Sequence, residues 1–134
     1  MSTGNSVKEL MRAINKTKLK KKLDVIFSKV IRARDKRCLK CGKRESLQCA
    51  HLASRTHLAG RYDELNAITL CVGCHLYWAH KSPIEFSEWL KATHPAAWKR
   101  SLEVRNETWK PTEQDYQDLL EELTARLTVL ERKM

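Results

Sequence analysis

Cys38-Leu39-Lys40-Cys41 and Cys71-Val72-Gly73-Cys74-His75 lie about thirty residues apart, and their pairing decides how the chain folds. Two CxxC pairs at this separation supply four soft thiolates, the ligand set of a tetrahedral zinc site. Four thiolates leave no open coordination position, so the zinc expected at Cys38, Cys41, Cys71 and Cys74 is structural. It would hold together a core too small to bury enough surface unaided. Gly42 suits the tight turn after the second thiolate, and Gly73 the turn of the second knuckle. The fifth cysteine, Cys49, reads as a buried thiol on a strand. An odd count is a poor fit to a disulfide framework and points to thiolates on metal in a reducing compartment.

Between the two pairs, Leu47 to His51 has β character and reads as a short strand. Leu52 to Leu65 reads as a loop that exposes Arg55, His57, Arg61 and Tyr62. Ala67-Ile68-Thr69-Leu70-Cys71 is β-rich and should pair with the first strand as a hairpin. A helix should begin near Cys74 and carry His75, Tyr77, Trp78 and His80. The order is strand, loop, strand, helix, with zinc joining the segment before the first strand to the end of the second.

The 134-residue chain has 26 Lys and Arg against 16 Asp and Glu, a formal net charge of +10. The excess is uneven: fifteen basic and three acidic side chains fall within residues 1–44. Such asymmetry points to a polyanion partner for the N-terminal third, most simply nucleic acid. After a polar tail over Met1 to Ser6, a helix is expected from about Val7 to Asp35. Its stripe is Leu19, Leu23, Ile26, Phe27, Val30 and Ile31. Lys20, Lys21, Lys22, Lys29, Arg32 and Arg34 are its candidate phosphate contacts, which give affinity without sequence selectivity. Asn15-Lys16-Thr17 is a point where that helix could break.

Downstream, Ser82-Pro83-Ile84-Glu85 marks a helix start with Ser at the N-cap and Pro at N1. That helix stops before His94-Pro95. A shorter one follows from Pro95 to about Val104. Thr112 and Asp115 form a capping box for a last helix running to about Arg132. Tyr116, Leu120, Leu123, Leu127 and Leu130 give that helix a short heptad seam, read as a homodimer contact through residues 112–132 or as a face for the chain's own core. The organisation is a basic tail and helix over 1–35, a zinc-stapled core over 36–94 and C-terminal helices over 95–134. No apolar stretch is long enough to span a membrane and Met1 to Lys18 has no apolar signal region, so a cytoplasmic protein is expected.

The ordered set CxxC, Ala50-His51, Asn66 and Cys71-Val72-Gly73-Cys74-His75 resembles the HNH, or ββα-metal (His-Me finger), nuclease motif. Phe27 through Asp35, then Arg55, Arg61-Tyr62-Asp63 and the run His75 through Pro83, resemble the phage NinG/Rap recombination nucleases. The likeness covers roughly Lys22 to Trp89. It implies an α+β, mainly α fold: a zinc-bound ββα-metal core with flanking N- and C-terminal helices. It implies that His51 is the general base, that Asn66 braces the hairpin and that His75 binds the catalytic Mg²⁺ or Mn²⁺. Where the commonest HNH pattern has a further metal ligand directly before the base, this chain has Ala50. Asp63, then His57 and His80, are the candidates to replace it, and Arg55, His57 and Arg61 those to clamp phosphates beside the cut. The implied function is metal-dependent hydrolysis of DNA phosphodiesters, selective for branched recombination intermediates such as Holliday junctions. The rivals are a general HNH nicking or double-strand nuclease of the packaging or restriction type, a zinc-stapled DNA-binding module without catalysis, and an RNA- or protein-binding zinc module.

Overall fold

A computed structural model describes residues 3–133, with side chains from Ser6 to Lys133. Met1 and Ser2, part of the expected polar tail, lie outside the described residues, as does Met134. The chain is mainly helical, with a single small antiparallel sheet among the described residues. Helix α1 spans Thr3–Asp35. Its 33 residues make a rod roughly 50 Å long at 1.5 Å per residue. Thr3 to Ser6 are therefore helical and not tail. The expected break at Asn15-Lys16-Thr17 does not occur either. The Thr17 hydroxyl donates back to the Ala13 carbonyl at 3.0 Å, so its polar group is satisfied within the helix.

Strands β1 (Leu47–His51) and β2 (Ala67–Cys71) pair antiparallel, with Leu47 opposite Cys71 and His51 opposite Ala67. A two-stranded hairpin is marginal alone. Here the far edge of β2 is covered. The Thr69 N–H donates to Asp35 Oδ2 at 2.9 Å and the Thr69 carbonyl accepts from Leu39 N at 3.0 Å. The Thr69 hydroxyl donates to the Ile31 carbonyl at 3.1 Å. The end of α1 and the first knuckle thus satisfy this edge, and all five residues of β2 are buried. Between the strands, helix α2 (Leu58–Arg61) and a 3₁₀ turn over Glu64–Asn66 organise what the sequence alone read as loop.

After β2 comes a wide helical segment over Gly73–Ala79, then α3 (Pro83–Thr93), α4 (Pro95–Glu103) and α5 (Glu113–Arg132). The Thr112–Asp115 capping box forms in both directions, at 2.8 and 3.1 Å. Ser82 occupies the N-cap of α3, but its hydroxyl makes no capping bond; Pro83 alone marks that start.

Two apolar clusters hold these elements. In the first, Leu23, Phe27, Val30 and Ile31 of α1 pack with Tyr116, Leu123 and Leu130 of α5. Leu120 and Leu127 pack at its edge. The seam read as a dimer contact is therefore covered within the chain. Two apolar stripes tethered in one chain meet without the translational and rotational cost of association. In the second cluster, Ala50, Ile68, Leu70 and Leu90 pack beside Cys38 and Cys71. Trp78, Phe86 and Trp89 pack against it, the two indoles edge-on at 5.5 Å between centroids. No helix among the described residues is long and apolar enough to cross a membrane.

A candidate four-cysteine metal centre and a histidine cleft

The sulfurs of Cys38, Cys41, Cys71 and Cys74 all lie within 4.8 Å of one another. Cys41 and Cys71 Sγ are 3.7 Å apart. A tetrahedron with Zn–S bonds of about 2.3 Å has edges of about 3.8 Å, so the four thiols could hold a metal ion such as zinc. The backbone N–H groups of Cys41 and Cys74 point at Cys38 and Cys71 Sγ, each at 3.5 Å. Burial opposes ionisation of Cys38, but the backbone N–H groups of Cys41, Cys71 and Lys40 hold its thiol down to about 7. Burial, and then the adjacent sulfurs, push Cys74 the other way. A divalent cation relieves that repulsion. Gly42 closes the first knuckle at φ +82°, and its N–H donates to the Cys38 carbonyl at 2.9 Å.

His51 ends β1 half-buried, its ring 5.5 Å from that of Phe27. Its Nε2 lies 2.8 Å from the carbonyl of Arg61. A carbonyl only accepts, so Nε2 carries the hydrogen and Nδ1 keeps the lone pair. Burial lowers the pKa of His51 and outweighs the opposing bond from that carbonyl. The imidazole is thus neutral at pH 7 and able to accept a proton at Nδ1.

His75 is held in the opposite sense. Its Nδ1 lies 2.8 Å from Gln48 Oε1, an oxygen that only accepts, so Nδ1 carries the hydrogen and Nε2 keeps the lone pair. Burial lowers its pKa first, followed by the charges of His80 and His51. The His80 ring stands edge-on to that of His75, 4.6 Å between centroids. In an α-helix a residue five places on would sit about 140° away. Here the backbone bonds from i to i+5, His80 N to His75 O at 3.2 Å. The wide segment absorbs one extra residue and swings His80 onto the face of His75. Ala79, at ordinary helical spacing, is buried instead.

The three histidines line one cleft of about 630 Å³, together with Asp24 and Ser28 of α1 and with Arg55. An adjoining recess of about 450 Å³ adds Ala50, Pro83 and Phe86. Ala50 is 3% exposed and offers no ligand atom.

Asn66 organises the loop that carries the Arg61 carbonyl. It is fully buried: Oδ1 accepts from Ala53 N at 2.8 Å, and Nδ2 donates to Gly60 O at 3.0 Å and Ala53 O at 3.2 Å. Gly60 is required opposite it. A Cβ there would meet Asn66 Nδ2 at 2.7 Å and Val104 Cγ2 at 2.8 Å. Asn66→Ala strands the buried N–H and carbonyl of Ala53, while the Gly60 carbonyl keeps the N–H groups of Tyr62 and Asp63; at 1–3 kcal/mol for each unsatisfied group the loss should be on the order of 3 kcal/mol. Urea denaturation of the zinc-loaded protein measures it. A loss under about 1 kcal/mol would mean that the loop does not depend on this amide.

Other expected site residues lie elsewhere or are already engaged. Arg61 is not a free phosphate clamp: Nε and Nη2 donate to Asp24 at 2.9 and 2.6 Å. Burial alone would raise the Asp24 pKa, but Arg61 outweighs it and holds the carboxyl below its usual value. Arg34 is likewise engaged. It pairs with Asp35 at 2.9 Å and donates to the Glu64 and Ala67 carbonyls at 2.5 and 2.8 Å. Both arginines face short-range acceptors that a charge count cannot see. Asp63 does not face the histidines. It pairs with Arg100 at 2.7 Å, caps Leu65 N at 2.9 Å and lines a separate cleft with Glu107 and Trp109. His57 starts α2 and does not line the histidine cleft. His80 is the one candidate replacement brought beside His75.

Arg55 is 57% exposed at the cleft mouth, with only a loose contact of 3.6 Å to Asp24. Lys21 and Arg32 extend the Asp24–Ser28 row of α1 at three- and four-residue steps. Lys22 and Lys29 are exposed, while Lys20 and Arg32 are half-buried. Sequence reasoning missed Gln48 and the Asp24–Arg61 brace. The only signal for Gln48 was strand parity, which puts it on the same face of β1 as Ala50. No family model, curated protein or solved structure matches this chain.

Proposed function

We propose that this chain is a metal-dependent DNA endonuclease built on a ββα-metal (HNH) core. Its proposed substrates are branched recombination intermediates of the Holliday-junction type. The observation that carries the reading is the opposite tethering of His51 and His75 in one cleft: one keeps its lone pair on Nδ1, the other on Nε2. A base and an ion ligand need those two states. In this reading His51 takes a proton from the attacking water, and Arg55 with Lys21 and Arg32 holds the DNA backbone. His75, with His80 beside it, would hold the ion. A divalent ion there supplies charge stabilisation for the phosphate and the leaving oxygen. Asn66 acts indirectly, by fixing the loop whose carbonyl orients His51.

The donor set bears on which ion fits. Asp24 is the one carboxylate lining the cleft, and Arg61 holds it. Nitrogen donors favour first-row transition dications over the hard Mg²⁺. Half-maximal cleavage is expected at a Mn²⁺ or Co²⁺ concentration at least about tenfold below that for Mg²⁺, the ratio that a preference of about 1.4 kcal/mol gives. Titration of each ion against a labelled four-way junction, with EDTA and linear-duplex controls, tests this. Equal requirements would remove the nitrogen-ligand account. Equal cutting of duplex and junction would favour a general nicking nuclease. One observation favours a non-catalytic zinc module: Ala50, buried, stands where a ligand is usual. Salt-sensitive junction binding with no cleavage by any ion would establish that alternative.

A further inference from the structure

We propose that Gln48 is the positioning residue that sets which nitrogen of His75 carries the hydrogen. This rests on the reading that His75 holds the ion. Gln48 and Ala50 share one face of β1, two residues apart, and β1 packs against the segment carrying His75. At Ala50 the strand offers no ligand. At Gln48 it offers an amide oxygen 2.8 Å from His75 Nδ1. The strand thus contributes to this site through the orientation of its histidine, one step removed from the ion. With the oxygen toward the ring, Nδ1 carries the hydrogen and Nε2 is free. With the amide turned over, its NH₂ would donate to Nδ1, the hydrogen would move to Nε2, and the ring would lose the free lone pair on Nε2. The tautomer of His75 therefore reports directly on the role of Gln48. Outer partners of this kind typically change metal affinity by 10- to 100-fold.

The test uses the zinc-loaded full chain labelled with ¹⁵N-histidine, at pH 8 and without added Mn²⁺. Long-range ¹H–¹⁵N correlation assigns the tautomer of each ring. The wild type should show His75 protonated at Nδ1. Gln48→Met, similar in length but without an acceptor, should shift His75 toward protonation at Nε2. Gln48→Glu, which keeps the acceptor, should restore the Nδ1–H form. In a Mn²⁺ titration followed by electron paramagnetic resonance, Gln48→Met should weaken binding roughly 10- to 100-fold and Gln48→Glu should not. Zinc content and circular dichroism confirm that each variant is folded. A wild-type His75 protonated at Nε2, or a Gln48→Met variant with unchanged tautomer, overturns the proposal. A tautomer that shifts as expected while even the wild type binds no Mn²⁺ upholds the positioning role and removes the ion from the functional reading.

Discussion

His51→Ala should lower cleavage of a four-way junction by roughly 10²- to 10⁴-fold, the usual contribution of a positioned general base. Mn²⁺ binding and junction affinity should be nearly unchanged, because the proposed role of His51 is to accept a proton at Nδ1 and not to hold the ion. His51→Gln is the companion variant. Its amide can still donate toward the Arg61 carbonyl but cannot take up a proton near neutral pH. If either variant nicks DNA at the wild-type rate, His51 is not the base. The pH profile is a further check. Burial holds the folded-state pKa of His51 below 6.5. The base is therefore still unprotonated somewhat below that pH, and the acid limb of kcat/KM should fall at a midpoint under 6.5. Stability follows the same sign. The unfolded imidazole binds the proton more readily, so this contribution is complete above pH 6.5 and is lost as pH falls through the lowered value. An acid limb centred above 6.5 would contradict the buried, neutral base.

Removing the zinc expected at the four cysteines should unfold the sheet and α3. Structural zinc in small peptide sites is worth about 10–16 kcal/mol at pH 7, while whole domains are stable by only about 5–15 kcal/mol. The loss should be local at first. Tryptophan emission should shift to the red as Trp78 and Trp89 leave the cluster around Cys38, Cys71 and Leu90. Part of the helical circular dichroism should remain, because α1 and α5 share a separate core. Cys71→Ser should behave like chelation. Cys49→Ser should retain full zinc, since burial pushes the Cys49 thiol up to about 12 and it stands apart from the other four. Tryptophan emission and melting that do not change after zinc loss is verified would show that the metal does not staple this fold.

Much of the frame was legible from local signals. The CxxC spacing, the two β-rich runs, Pro83 and the Thr112–Asp115 box each work over a few residues, and each recurs in the structure at the expected place. The histidines that could matter were also visible, because residue type and order are properties of the chain alone. Less legible was how each polar side chain is used. Arg61 and Arg34 counted as free positive charge until Asp24, Asp35 and two carbonyls were found against them. Asp63 was the hard ligand of choice until Arg100 and the Leu65 N–H claimed it. His80 looked one residue out of step.

By itself the sequence determined the four-cysteine cluster, the hairpin and the positions of His51, Asn66 and His75, because short-range spacing and backbone preference settle those. The tertiary structure alone decided that the last helix covers α1, that a wide turn brings His80 onto His75, and that Gln48 and the Arg61 carbonyl hold the two imidazoles in opposite senses. Each of these depends on a hydrogen bond or contact between residues far apart in sequence, or on one extra residue absorbed by a turn. No pattern read along a single chain encodes such contacts.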